Sequence, residues 1–124
     1  MPRRIRIKAG DIEQTAELFD TKTGGLIWDA LPVESHANTW GEEIYFSIPV
    51  SADSEDPKEL VKMGDLGYWP PGSAFCIFFG PTPMSIGDEI RPASAVNVVG
   101  RLNGDPKEFR QVTDGAEVKI EKVL

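Results

Sequence analysis

Residues 64–83 constrain the fold of this chain more than any other segment. Glycines and prolines near both ends are typical of turns, and the apolar run 74–79 lies between them. Successive residues of a strand point to opposite faces, so an uninterrupted apolar strand requires cover on both sides. Each large apolar side chain contributes roughly 1.5–3 kcal/mol when it is buried. The segment therefore predicts a hairpin whose side chains form core, a ligand pocket or both.

The length and charge of the chain limit the classes of protein to which it can belong. A chain of 124 residues holds one hydrophobic core, so we expect a single domain over residues 1–124. The net charge of −7 repels nucleic acid, and we expect no nucleic-acid partner. Basic residues near the amino terminus alternate with isoleucines, which is typical of the solvent face of a strand. They are Arg3, Arg4, Arg6 and Lys8.

Residue counts and motifs argue against several kinds of site. The sole histidine, His36, excludes a multi-histidine metal site. The sole cysteine, Cys76, lies in the apolar run, where we expect it in the core rather than as a nucleophile. Neither glycine-rich stretch has the lysine or the context of a phosphate-binding loop. We therefore expect no metal and no cofactor.

The distribution of apolar residues also bears on location. No apolar run approaches the ~20 residues that span a bilayer, and the amino terminus lacks an apolar signal core. We expect no membrane association and a cytoplasmic location. The acidic residues of segment 51–56 lack the fuller ligand set of a calcium loop, so we expect a solvated surface loop there. The oligomeric state does not follow from the sequence.

Alternation of apolar and polar residues predicts short strands along most of the chain. Ile5 and Ile7 alternate with basic residues before a turn over residues 9–11, and a second strand continues to Leu18. Apolar residues at helical spacing predict a helix over residues 23–31, before Pro32. Further strands are predicted over residues 33–40, 42–49, 95–102 and 117–123, and in both arms of the 64–83 hairpin.

These elements predict a mainly β fold: a closed antiparallel barrel of about eight strands with one or two short helices. Closure removes exposed strand edges. We expect the first and last strands in one sheet, since both alternate around Ile7 and Ile120. Two Asp-Pro-Lys-Glu pieces, beginning at Asp56 and Asp105, predict short helical turns because proline favours the first helical position.

Two motifs link the chain to a known family. Residues 72–75, Gly-Ser-Ala-Phe, resemble the Gly-Ser-Gln-Phe of cyclophilins, and residues 96–100, Val-Asn-Val-Val-Gly, resemble their His-Val-Val-Phe-Gly strand. The chain is similar over nearly its whole length to the small prokaryotic cyclophilin-like family, a reduced relative of the peptidyl-prolyl isomerase barrel. The resemblance implies a cyclophilin-like barrel with Phe75 as the aromatic floor of a binding groove.

Departures from the cyclophilin pattern bear on activity. Cyclophilins carry Phe-His-Arg-Ile-Ile-Pro on a central strand, and its arginine is held to stabilise the twisting prolyl amide. Residues 44–49 take that place here, with Phe46 at the arginine, or Tyr45 or Ser47 if the alignment slips by one residue. Ala74 replaces the glutamine and Asn97 replaces the histidine. The resemblance thus implies a groove without its charged group.

The absence of the cyclophilin arginine favours a binding function over catalysis. The barrier to prolyl isomerisation is ~18–20 kcal/mol, and an enzyme lowers such a barrier largely through preorganised polar donors. We therefore expect the chain to bind a small apolar or proline-containing ligand or peptide. A peptidyl-prolyl isomerase is the alternative, and a noncatalytic interaction or regulatory subunit is the third reading.

The aromatic residues of the predicted ligand site form a floor and a rim. Phe75 is the predicted floor, with barrel core as its equal alternative, and Phe46 is included as the residue at the arginine position. Trp69, Tyr45 and Trp40 are predicted at the rim, because Trp and Tyr rings carry polar edges.

Asn97 or His36 is the predicted polar contact. His36 shares a strand face with Glu34, so a carboxylate-assisted imidazole is one interpretation. An ordinary strand histidine is the other.

Overall fold

The computed structural model describes residues 3–124, which form nine β-strands, one α-helix and two short 3-10 helices. The strands are β1 (Arg3–Ala9), β2 (Ile12–Leu18), β3 (Val33–His36), β4 (Asn38–Thr39), β5 (Glu43–Ser47), β6 (Asp65–Trp69), β7 (Ala74–Phe78), β8 (Asn97–Leu102) and β9 (Glu117–Lys122). The helix α1 spans Lys22–Ala30, and the 3-10 helices span Pro70–Gly72 and Pro106–Gln111.

The strands form a single antiparallel sheet that curls into a nearly closed barrel. Its order is β3-β9-β1-β2-β8-β6-β7-β5-β4. The two edge strands, β3 and β4, are separated in the chain by Ala37 alone, so the edges of the sheet come together. The prediction of a mainly β, cyclophilin-like antiparallel barrel with few short helices is confirmed.

Residues 3–124 form one strand more than predicted because the segment 33–40 divides at Ala37. The Ala37 N–H donates to the Ala116 carbonyl at 2.8 Å, and the Gly115 N–H donates to the Ala37 carbonyl at 2.7 Å. These bonds hold Ala37 against the turn that precedes β9. As a result β3 pairs with β9, whereas β4 pairs with β5.

The strand β1 lies between β2 and β9, which confirms that the first and last predicted strands share a sheet. Ile7 stands opposite Gln14 of β2 and Ile120 of β9. Both isoleucines are buried in the barrel core. Gly10 closes the predicted turn with a φ of +57°, a left-handed conformation that glycine adopts without steric cost.

The predicted helix is present as α1, which begins after its cap Thr21 and ends before Pro32. The Thr21 hydroxyl accepts from the Gly24 N–H at 2.9 Å, which satisfies one of the free amides of the first turn. Asp105 caps the predicted turn that follows it by accepting from the Lys107 N–H at 3.0 Å. No helix within residues 3–124 has the length and apolar character needed to cross a membrane.

The helical turn predicted after Asp56 is wrong. Lys58 is extended instead: its N–H donates to the Val96 carbonyl at 2.8 Å, and the Val96 N–H donates back at 3.0 Å. Asp56 has a φ of +46°, whereas a residue that caps a helical turn is normally extended. Pairing with a distant segment therefore overrides the local helix signal.

Strands β5, β6 and β7 lie side by side, and the central strand β7 is buried on both faces, as the run 74–79 predicts. Their inner face belongs to the main barrel core, which contains Phe46, Tyr68, Phe75 and Ile77. Their outer face carries a smaller cluster, which we call the outer cluster. It consists of Val61, Ala74, Cys76, Phe78, Ile90 and Val96, with Tyr45, Trp69 and Val98 packed against it.

Candidate functional site

A pocket of about 240 Å³ opens at the outer cluster. We call it the outer pocket, and its lining residues are Trp40, Glu43, Tyr45, Trp69, Cys76, Pro92, Ala93 and Val96. The structure thus brings together the three residues predicted at a ligand-site rim, Trp40, Tyr45 and Trp69. Their role in binding stays a prediction.

A tight turn before β5 places Trp40 next to Glu43. The Trp40 N–H donates to the Glu43 carbonyl at 3.0 Å. Alternate residues of β5 point outwards, so Glu43 and Tyr45 face the outer pocket while Ile44 between them is buried in the barrel core. One turn and the strand periodicity therefore position three of the lining residues.

Contacts on two sides fix the orientation of Trp69, at the end of β6. Its indole Nε1 donates to the Ser94 hydroxyl at 2.6 Å. Its ring lies over Gly72, where a Cβ atom would sit only 2.8 Å from the ring atom Cζ3. Only glycine allows so close an approach of ring and backbone. The indole is thereby held as a rigid wall of the outer pocket.

A further part of the lining comes from segment 90–96, which crosses the outer face of the sheet. Backbone hydrogen bonds fix this segment at both ends. Lys58 and Val96 exchange two of them, and the Val61 N–H donates to the Ile90 carbonyl at 3.0 Å. The outer pocket is therefore built between a sheet and a tethered loop.

Glu43 is the one ionisable carboxyl residue among those that line the outer pocket within residues 3–124. Its residue exposure is 5%, and its Oε1 atom has no hydrogen-bond partner among the described residues. Burial raises the pKa of the Glu43 carboxyl to about 7, and hydrogen bonding with the Cys76 side chain offsets only part of that rise. The carboxyl therefore changes charge near neutral pH.

Cys76 does not have the character of a nucleophile. Burial, and secondly the charge of Glu43, raise the pKa of the Cys76 thiol well above its ordinary value. A thiol that stays protonated is a weak nucleophile. Within residues 3–124, no group of three or more His, Cys, Asp and Glu side chains is arranged to hold a metal ion.

Phe75 and Phe46, predicted as floor and arginine-position residues, lie inside the barrel instead of lining the outer pocket. Both are fully buried, and their rings stack with centroids 5.5 Å apart and planes 25° apart. The periodicity of β7 explains this: Cys76 faces outwards, so Phe75 faces inwards. In β5, Tyr45 lines the outer pocket and Ser47 is exposed, whereas Phe46 is core.

Asn97, a predicted polar contact, is engaged in a structural network away from the outer pocket. Its Nδ2 donates to the Thr23 hydroxyl at 3.1 Å and to the Asp53 carbonyl at 3.0 Å, and its Oδ1 accepts from the Glu55 N–H at 2.8 Å. The Glu55 carboxylate in turn accepts from the Thr23 N–H at 2.8 Å. Asn97 thus ties the acidic loop to α1.

His36, the other predicted polar contact, is exposed on β3 and does not reach the outer pocket. It stands opposite Glu117 of β9 and lines a separate surface depression together with Lys8 and Glu34. The division of the chain at Ala37 separates His36 from Trp40. The strand β3, which carries His36, pairs with β9, whereas Trp40 follows β4 at the other edge of the sheet.

Sequence reasoning missed five lining residues: Glu43, Cys76, Pro92, Ala93 and Val96. A signal for Glu43 was present. It shares a strand face with Tyr45, and that face needs cover if the neighbouring run 74–79 is buried on both sides. The residues of segment 90–96 had no such signal, because a long loop places them there.

Comparison with known proteins agrees with this architecture. A family model described as Cyclophilin-like matches residues 3–121. The chain is also similar to a hypothetical protein of Archaeoglobus fulgidus with a known solution structure: 43% of residues are identical, the TM-score is 0.84, and the match covers 98% of this chain and 95% of the other. No curated protein matches the chain.

Proposed function

Because this chain belongs to the cyclophilin-like family, we propose that it binds a small, largely apolar ligand on the outer face of its barrel, in the outer pocket. A proline ring or a similar group of a peptide is one such ligand. The observation that carries the proposal is the convergence of three half-buried aromatic residues, Trp40, Tyr45 and Trp69, around an open pocket. Pockets of this kind are the usual sites of small-molecule binding.

The size of the outer pocket suits a fragment rather than an extended molecule. Its volume of about 240 Å³ lies below the roughly 300–1,000 Å³ typical of drug-sized sites. A single ring or a short branched chain fills such a space, and the aromatic walls provide dispersion contact at little entropic cost.

The rigidity of the walls also supports binding. The hydrogen bond from Trp69 to Ser94 and the pairing of Lys58 with Val96 hold both sides of the outer pocket in place before a ligand arrives. A preformed site avoids the ordering cost that a flexible one incurs on binding.

A screen of small apolar compounds and short proline-containing peptides tests the proposal, read through the indole N–H signals in two-dimensional NMR spectra. The three tryptophans of the chain provide an internal comparison. Trp40 and Trp69 line the outer pocket, whereas Trp28 lies on α1 with the Lys122 amino group 4.9 Å from its ring centre. Ligands are expected to shift the first two signals and leave the third unchanged.

Trp40→Leu and Trp28→Leu form a matched pair of variants for the same screen. The first removes a wall of the outer pocket and should weaken binding, whereas the second makes the same replacement elsewhere and should not. A ligand that shifts Trp28 alone, or affinities equal in the two variants, would count against the outer pocket. Absence of any binding would instead favour an interaction role for the outer surface.

A further inference from the structure

One carboxyl oxygen of Glu43, Oε1, is buried without a hydrogen-bond partner among the described residues. Glu43 is 5% exposed and lines the outer pocket. Buried carboxylates are ordinarily paired or hydrogen-bonded, because an unpaired charge away from water is costly. A ligand in the outer pocket is well placed to supply the missing partner.

The other walls of the outer pocket are aromatic or apolar. Trp40, Tyr45 and Trp69 contribute rings, and segment 90–96 contributes aliphatic side chains. The negative faces of aromatic rings attract cations, and surrounding rings are the usual means of recognising alkylated ammonium groups.

Charged groups near Glu43 are few and paired. The titratable residues that share the outer pocket with it are Tyr45 of its own strand and Cys76 of β7. Glu42, which precedes it, forms an ion pair with Arg110. In the covering loop, Arg91 forms an ion pair with Glu89 at 2.8 Å. No lysine or arginine lines the outer pocket within residues 3–124.

We propose that the ligand of the outer pocket is a small organic cation, a protonated amine or a quaternary ammonium ion, with the Glu43 carboxylate as its counter-ion and the aromatic rings as its cage. This inference rests on the proposed function and names the ligand class. An anion would face the carboxylate, and a neutral apolar molecule would leave it without a partner. A cation would pair with the carboxylate and would also be attracted to the negative faces of the aromatic rings.

The protonation of Glu43 gives this inference a pH signature. The pKa of the empty site is about 7, and a cation binds the ionised form. Below pH 7 binding must first release the proton, so affinity falls by about tenfold per pH unit well below that value. Above pH 7 affinity levels off. A quaternary ammonium ion has no proton of its own to complicate this profile.

Choline and its neutral carbon analogue 3,3-dimethylbutan-1-ol are a matched pair of probes, titrated by calorimetry and NMR between pH 5.5 and 8.5. Wild-type protein is expected to prefer choline at pH 8 and to lose that preference towards pH 5.5. Glu43→Gln should weaken choline at least about tenfold at pH 8, since it removes one partner of a buried charge pair. Glu34→Gln, the same change at an exposed carboxylate of β3, should leave both affinities unchanged.

The outcomes separate this inference from the proposed function. Equal or tighter binding of the alcohol by the wild type at pH 8 overturns the cation inference and leaves apolar binding standing. Choline binding that survives Glu43→Gln, or that is lost equally in Glu34→Gln, also overturns it. If neither probe binds while other apolar compounds shift Trp40 and Trp69, the cation inference alone fails. If no compound binds, both proposals fail.

Discussion

The side chains on the inner and outer faces of strands β5, β6 and β7 share one backbone but differ in how completely they are buried. On the inner face Phe46 and Phe75 stack and are fully buried. On the outer face Tyr45 and Trp69 are half-buried around a pocket. Because neighbouring residues of one strand serve different faces, stability and binding can be altered separately by changing adjacent positions.

The polar groups of the two faces differ in the same way. Inside the barrel, the Tyr68 hydroxyl donates to the Val50 carbonyl at 2.7 Å and accepts from the Ala52 N–H at 3.2 Å. Outside, Glu43 leaves a buried carboxyl oxygen without a partner among the described residues. A satisfied buried group supports the fold, whereas an unsatisfied one requires an explanation, which for Glu43 is the cation proposed above.

The largest expected effect comes from the inner face. Phe75→Ala removes a fully buried ring that stacks on Phe46, and we expect a loss of ~3–5 kcal/mol in the free energy of unfolding. Urea denaturation measures it. The milder Phe75→Leu should remain folded and bind the ligands of the outer pocket as the wild type does. A selective loss of binding in Phe75→Leu would show that the two faces are not separate.

Glu43→Gln should reveal the next largest effect, as a change in how stability depends on pH. Burial raises the folded-state pKa of Glu43 from its ordinary value of 4.5 to about 7. For a carboxyl with a raised pKa, the favourable contribution is present below the unfolded-state pKa and is lost as pH rises through the folded-state value. Ionising Glu43 therefore costs the native state on the order of 3 kcal/mol by pH 8.

Urea unfolding of wild type and Glu43→Gln at pH 4.5 and pH 8 measures this loss. The stability of the wild type relative to the variant should fall between the two values by roughly 2–3 kcal/mol. The comparison cancels the titration of other carboxyl groups that are unaffected by the replacement. A difference independent of pH would mean that folding does not change the pKa of Glu43, and the two faces would then not differ in how their polar groups are satisfied.

Asn97→Ala should have a smaller effect and act on stability alone. The replacement leaves the Glu55 N–H and the Asp53 carbonyl without their buried partner, which costs about 1–3 kcal/mol. Asn103→Ala is the matched control, because Asn103 makes an exposed bond to the Thr15 hydroxyl. Thermal unfolding and ligand titration distinguish the roles. Weaker binding in Asn97→Ala at unchanged stability would show that Asn97 contributes to ligand binding, as the sequence predicts.

Strand alternation predicted much of the fold because it depends on local sequence. It placed Ile44 and Phe46 on one face of β5 and Tyr45 on the other, as observed. Alternation does not say which face points into the barrel where both are apolar. Phe75 was predicted at the site because the resemblance to cyclophilins implies an aromatic floor there, and alternation alone could not show that its neighbour Cys76 lines the outer pocket instead.

Long-range pairing accounts for the rest. The bond between Asn97 and Thr23, the extension of Lys58 along Val96 and the cover provided by segment 90–96 all join residues far apart in the chain. Propensity and periodicity describe neighbours in sequence, so they contain no information on such contacts. The aromatic residues of the rim were predictable from residue type, whereas the lining that segment 90–96 contributes was not.

The smallest expected effect is on prolyl isomerisation, where we expect little or no acceleration of a proline peptide in a protease-free assay. Lowering this barrier requires a donor that binds the twisted amide better than the planar one. The resemblance puts Phe46, or its neighbour Tyr45 or Ser47, in place of the cyclophilin arginine. None of these is cationic, and no lysine or arginine lines the outer pocket within residues 3–124. Turnover that survives repurification and is lost in Trp40→Leu, but not in Trp28→Leu, would make the outer pocket an active site. The inner face would then provide stability and the outer face catalysis, with Tyr45 and Glu43 as the polar groups nearest the reaction.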